Sequence, residues 1–147
     1  MSEIKTYTIR LLIDSQFEQV RLLGSAVRGI GQELNLPTEQ VSQLELILVE
    51  AVNNVIEHAY ELQPGRDIKV RVECEPASQI KIIISDNGLS LPVNKIDSHQ
   101  PNTANFPEPE SLPEGGWGLG LIKLLADSLH YEQDHRGNHL HVCKQLA

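Results

Sequence analysis

Glu50 and Asn54 stand four residues apart inside an apolar pattern of helical period, so both side chains project from one helix face. A carboxylate at the first position can accept a proton from a hydroxyl or water that attacks a phosphoryl group. An asparagine amide oxygen one turn later is a hard, neutral acceptor suited to Mg2+, which keeps several waters and takes one or two protein ligands. The same pair also fits a solvent-facing glutamate beside an asparagine near a helix end, and spacing alone does not separate the two. Asp86-Asn87-Gly88 follows the run Ile82-Ile83-Ile84-Ser85, which puts an ionisable carboxylate at the end of a strong strand. Such an aspartate can accept a hydrogen bond from an exocyclic amine such as adenine N6. Asp-Asn-Gly is equally an ordinary turn, in which Gly88 lets the backbone bend sharply. The third cluster, Gly115-Gly116-Trp117-Gly118-Leu119-Gly120, opens another helical pattern. Glycine costs up to ~1 kcal/mol against alanine inside a helix. Uncovered N–H groups at a helix start, open to close approach by phosphate, are one reason to tolerate that cost.

Other chemistries find less support. The glycine spacing is not the dinucleotide-binding G-x-G-x-x-G, and no G-K-[ST] occurs, which excludes a P-loop. Trp117 fits a hinge, a core anchor or a ligand contact. The six histidines show no paired metal spacing on a helix; His139 and His141 would share a strand face but lack a third ligand. No serine stands in a nucleophile-elbow context, and Cys74 and Cys143 lie in strand-like segments, reading as buried reduced thiols. A net charge of -8 argues against nucleic acid, because phosphate binding needs a basic face. It is compatible with a basic protein partner or a metal–nucleotide complex. No apolar stretch marks a signal peptide or a membrane span, so the expectation is a soluble, cytoplasmic chain without membrane association.

The elements that must position these residues follow from periodicity. The 147 residues suit a single domain over 1–147. Tyr7, Ile9, Leu11 and Ile13 alternate as a half-buried strand. Phe17, Val20, Leu23, Val27, Ile30 and Leu34 recur as the stripe of a first helix, broken at Asn35-Leu36-Pro37-Thr38. Thr38 is expected to cap a second helix, with Glu39 in its first turn and Val41, Leu44, Leu48, Ala51, Val52 and Val55 as its stripe, running to about Tyr60. A turn at Gln63-Pro64-Gly65-Arg66-Asp67 leads into a hairpin, with Ile68, Val70, Val72 and Cys74 on one face and Ile80 to Ile84 in its second strand. From Gly88 to Gly116 apolar periodicity vanishes among prolines and asparagines, a length that marks a functional loop. Leu119, Ile122, Leu125 (or Ala126) and Leu129 then make a third helix, followed by strands near His130 to Gln133 and over Leu140, Val142 and Leu146. The order β-α-α-β-β-loop-α-β-β predicts an α+β fold, a two-layer α/β sandwich with a mostly antiparallel mixed sheet and about three helices on one face.

At these three boxes the chain resembles the GHKL (Bergerat-fold) ATPases, which carry an E-x-x-x-N helix, a D-x-G turn and a glycine-rich junction between an ATP lid and a helix. Val49 to Tyr60, reading VEAVNNVIEHAY, looks especially like the single-domain anti-sigma-factor serine/threonine kinases of bacteria. The resemblance covers nearly the whole chain. It implies that Glu50 is the catalytic base, that Asn54 holds Mg2+ and that Asp86, with Gly88 shaping its turn, reads adenine. His58, Gly116, Trp117, Gly118, Leu119 and Gly120 would complete the ATP site beneath a lid at about 88–116. It implies phosphoryl transfer from ATP to a STAS-domain anti-anti-sigma partner, sequestration of a sigma factor, and pairing of two chains into a homodimer through the helical and first-strand region. Two departures stand out. Related kinases often carry an arginine just before the glycines, where this chain has Pro113 and Glu114, and Ser90 replaces a glycine common after the aspartate box. Both fit an alternative, a nucleotide-binding partner switch with weak or no catalysis.

Overall fold

Strict alternation along β2 (Asp67–Glu75) buries Ile68, Val70, Val72 and Cys74 and leaves Asp67, Lys69 and Arg71 exposed, so one face of the sheet is covered and the other open. The computed structural model describes residues 5–91 and 119–146. Within them β1 (Tyr7–Asp14), α1 (Phe17–Glu33) and α2 (Thr38–Asn54) lead into a π-helical turn, Val55–Ala59, ahead of β2. After β3 (Gln79–Asp86) come α3 (Leu119–Leu125), β4 (Ser128–Asp134) and β5 (Gly137–Gln145). The five strands lie in the order β1-β2-β3-β5-β4. Every pairing among them is antiparallel, so the sheet contains no parallel pair among the described residues and the expected mixed character falls away. Buried residues of all three helices join those of the strands in one core, which makes the architecture two-layered. Each fully buried isoleucine, such as Ile68, Ile80, Ile82 or Ile84, contributes about 1.5–3 kcal/mol on leaving water. A one-residue slip of register would turn that set to solvent, so the pattern also fixes the pairing.

The two long helices meet more closely than their apolar stripes suggest. The buried set of α1 is Val20, Leu23, Gly24, Val27 and Gly31, whereas Phe17 is 45% exposed and Ile30 only half-buried. A Cβ on Gly31 would lie 2.5 Å from Val41 Cγ2, and one on Gly24 would lie 3.2 Å from Glu45 Oε1. The two glycines therefore admit α2 against α1, while Phe17, expected in the buried stripe, stays largely in solvent. Thr38 does not cap α2. Pro37 is the cap residue, its carbonyl accepting from the Val41 N–H at 3.1 Å, and no side chain caps that end.

The second helix does not run as an α-helix to Tyr60. After Asn54 it widens into the π turn, in which the Tyr60 N–H donates to the Val55 carbonyl at 2.8 Å. The Leu62 N–H then reaches the Ile56 carbonyl at 2.8 Å, with Glu61 and Leu62 at φ 50° and 67°. This widening turns Ala59 and Tyr60 inward, where they are 4% and 3% exposed. Cys74 is buried and Cys143 half-buried, and both are free thiols. Among the described residues no helix is long and apolar enough to cross a membrane.

Candidate functional site

Asp86 falls on the covered face because it continues the inward row Ile80, Ile82, Ile84 of β3, and it is 8% exposed. Removing a carboxylate from water is costly unless hydrogen bonds replace its hydration. Burial pushes the Asp86 pKa above its ordinary 3.8, opposed by hydrogen bonds from Asn138 and Gly88 and by the nearby His139. The Asn138 Nδ2 donates to Asp86 Oδ1 at 2.9 Å, and the Gly88 N–H reaches the same oxygen at 2.8 Å. Oδ2 accepts nothing from the described residues and remains available to a ligand. Asn138, 4% exposed, also donates to the Gly88 carbonyl at 3.0 Å and accepts from Ser90 Oγ at 3.0 Å. The serine that replaces a family glycine is therefore part of the clamp. Asn138 was not anticipated. Its signal was a polar residue on the inward row Asn138, Leu140, Val142, legible only once β5 is paired so that Asn138 faces Asp86.

The Asp-Asn-Gly turn is fastened to the π turn. The Leu89 N–H donates to the Ala59 carbonyl at 2.9 Å, and the Asn87 N–H to Tyr60 Oη at 2.9 Å. Tyr60 in turn donates to the Asp67 carbonyl at 2.7 Å. Burial raises the tyrosine pKa, with the neighbouring Asp86 adding to the shift against the Asn87 hydrogen bond, so the phenol stays protonated as a donor. A Cβ on Gly88 would collide with the Ala59 carbonyl, and this packing is why the turn needs glycine. Gly137, at φ 120°, presses on the other side, where a Cβ would meet the Asp86 carbonyl.

Across a pocket from Asp86 stands Asn54, 7% exposed, whose Nδ2 is buried without a hydrogen-bond partner among the described residues. A buried unpaired amide costs about 1–3 kcal/mol, so its presence points to a ligand. Rotation of the amide would offer the oxygen in place of the NH2. Ala51, Val55, Ile84 and Leu140 line the pocket between the two polar residues, with Leu89, Leu91, Leu119 and Tyr131 beside them. The Tyr131 hydroxyl accepts from the Leu91 N–H at 2.8 Å. Apolar walls with two polar groups suit a planar, hydrogen-bonding base.

Glu50 lies one turn before Asn54, half-buried, with no hydrogen bond or ion pair to a described residue. Asn53 lines a different groove, between α1 and α2. His58 sits on the π turn with Nε2 3.6 Å from Glu57 Oε2, and is not among the pocket-lining residues. Leu119 lines the pocket at 8% exposure and Gly120 is half-buried in the first turn of α3. Gly116, Trp117 and Gly118 lie outside the described residues, as does the expected lid from residue 92 onward. Among the described residues no three histidine, cysteine or carboxylate side chains converge on a metal position. A divalent ion here would thus be held by few protein ligands, which suits Mg2+ on an asparagine oxygen, waters and phosphates.

Comparison with known proteins finds similarity over most of the chain. The model of the histidine kinase-like ATPase domain matches residues 13–144. The serine-protein kinase RsbW of Bacillus cereus (strain B4264) is 28% identical over 127 residues, covering 86% of this chain and 78% of that protein. Its counterpart in Bacillus thuringiensis (strain Al Hakam) is 26% identical over the same coverage. Among solved structures, the RsbU and RsbW domains of Rv1364c from Mycobacterium tuberculosis share the fold, with a TM-score of 0.66, 14% identity and 95% of this chain covered. The chain spans 32% of that structure. The histidine kinase domain from Erythrobacter litoralis EL346 blue-light activated histidine kinase gives a TM-score of 0.50 at 17% identity, covering 88% of this chain and 60% of that one.

Proposed function

The chain belongs to the histidine kinase-like ATPase domain family, and on that footing we propose that it is a Mg2+- and ATP-dependent serine/threonine protein kinase and anti-sigma regulatory factor. It binds a sigma factor in the cytoplasm and phosphorylates a STAS-domain anti-anti-sigma partner, which in its unphosphorylated form releases that factor. The observation that carries this reading is the pocket itself, where Asp86 Oδ2 and Asn54 Nδ2 have no hydrogen-bond partner among the described residues and Glu50 lies one turn away. Relatives named serine-protein kinase RsbW support the protein substrate over a small molecule.

In this reading Asp86 accepts a hydrogen bond from the adenine amine, while Ile84, Leu140 and Val55 cover the faces of the base. Asn54 would hold Mg2+ through its amide oxygen, and the ion would supply positive charge to offset that of the phosphates. Glu50 accepts the proton of the attacking serine or threonine hydroxyl, raising its nucleophilicity as the phosphoryl group moves. The family resemblance assigns Gly116, Trp117 and Gly118, which lie outside the described residues, to the phosphate site together with Leu119, Gly120 and His58.

Incubation of the purified chain with γ-labelled ATP, Mg2+ and candidate STAS proteins tests the reading. Glu50→Ala is expected to lower transfer by about a hundredfold or more, the scale of lost general-base catalysis, while largely sparing ATP affinity. Unchanged transfer by that variant would sink the mechanism. Glu114, standing where relatives often carry arginine, favours a second reading, a nucleotide-dependent partner switch without transferase activity. ATP binding by calorimetry without transfer to any cognate partner would support it.

A further inference from the structure

The face of the sheet turned away from the helices carries no covering element among the described residues, and its charges are arranged at a cost. Pairing aligns Arg10, Arg71, Ile83 and His141 in one row across β1, β2, β3 and β5. The next row is Leu12, Lys69, Ser85 and His139. Like charges directly opposite on neighbouring strands destabilise a sheet, yet Arg10 faces Arg71. Neither Arg10 nor Lys69 has a carboxylate within ion-pairing distance among the described residues. Arg71 has Glu73 alone, on its own strand at 3.4 Å. This is a chain with 20 acidic residues against 12 basic ones, so unpaired cations are not for want of partners. The nearby carboxylates Asp134 and Glu132 are engaged by His139 at 2.9 Å and His141 at 3.1 Å. Leu12, 61% exposed, adds apolar surface to a shallow concavity of about 570 Å³ shared with these cations, at whose floor Ile83 is buried.

We propose that this open sheet face is a docking surface for an acidic segment of a protein partner, whose carboxylates meet Arg10, Lys69 and Arg71 and whose apolar side chain rests on Leu12. The complementarity is local. Asp67 and Glu73 flank the cations along β2, and Glu132 and Asp134 line the β4 side of the concavity, so an extended phosphate backbone would run across them. A short acidic segment ends before those carboxylates. The surface is separate from the pocket, and the proposal does not rest on the nucleotide reading.

The test uses the full chain and a fluorescent peptide alternating glutamate with leucine. Binding is followed by anisotropy and mapped by backbone amide shifts. The expected result is saturable, salt-sensitive binding that shifts the amides of Arg10, Lys69, Arg71 and Ser85. Arg10→Glu should weaken it about tenfold or more and yet raise the thermal midpoint, because the like pair with Arg71 becomes an opposite one. A merely structural arginine would not give that combination. Lys69→Gln, which leaves the cross-strand pair intact, provides the second variant and should also weaken binding. The proposal is overturned by undiminished binding in both variants, by absence of saturable binding, or by shifts that map elsewhere. Tighter binding of an oligonucleotide of equal charge, or self-association abolished by Arg10→Glu, would overturn it as well.

Discussion

Asn138 holds the carboxylate of Asp86, the proposed recognition group of the pocket, and it does so from a strand far along the chain. Asn138→Ala removes a buried hydrogen bond to an ionisable group and leaves the Gly88 carbonyl without that donor. A loss of about 1–3 kcal/mol in urea unfolding is expected, together with weaker ATP binding by calorimetry. Asp86 also makes binding depend on pH. Its raised pKa means that, between 3.8 and the folded value, the folded chain keeps a proton the unfolded chain has lost. Stability therefore falls as pH rises through that window. Affinity for an amine donor needs the ionised form and rises over the same window. Unfolding and titration curves collected in parallel should move in opposite directions, and Asp86→Ala should remove the opposition. Glu50, Asn54 and Asp86 were legible because each sits where a periodic pattern isolates it. Asn138 was not, since its meaning depends on which residue of β3 lies across from it.

At the scale of elements, the α1–α2 contact shows what hydrophobic periodicity leaves out. A stripe of large residues predicted both helices, but Gly24 and Gly31 decide how near they come. Gly31→Ala is expected to cost about 1–3 kcal/mol through overpacking on Val41. Gly29→Ala, with nothing within 4 Å of the new methyl, should stabilise by about 0.5–1 kcal/mol through helix propensity. Denaturant midpoints of the two variants should thus move in opposite directions. A midpoint for Gly31→Ala at or above the parent would contradict the close packing. The π turn was equally hidden, because a widened helical turn has no side-chain period of its own. It matters for the site, since it directs Ala59 and Tyr60 to the turn that carries Asp86.

For the whole molecule, alternation and turn chemistry suffice for an α+β sandwich and for the order of its elements. They do not reveal that β5 inserts between β3 and β4, because that pairing joins residues more than fifty positions apart, such as Asp86 and Asn138. A ligand that binds only the folded chain raises its stability, and Mg2+ with ATP at about a hundred times the dissociation constant should add ~2.7 kcal/mol. The inserted strand brings a further consequence. Along β3 and β5 successive residues point to opposite faces, so that Asp86 and Asn138 serve the pocket while Ser85 and His139, hydrogen-bonded at 2.7 Å, belong to the open face. Two ligands would then share one pair of strands without touching. Whatever factor ATP imposes on the affinity for the acidic peptide, the peptide must impose on the affinity for ATP. Two calorimetric titrations, each in the absence and presence of the other ligand, would measure that exchange of free energy through the thickness of the sheet.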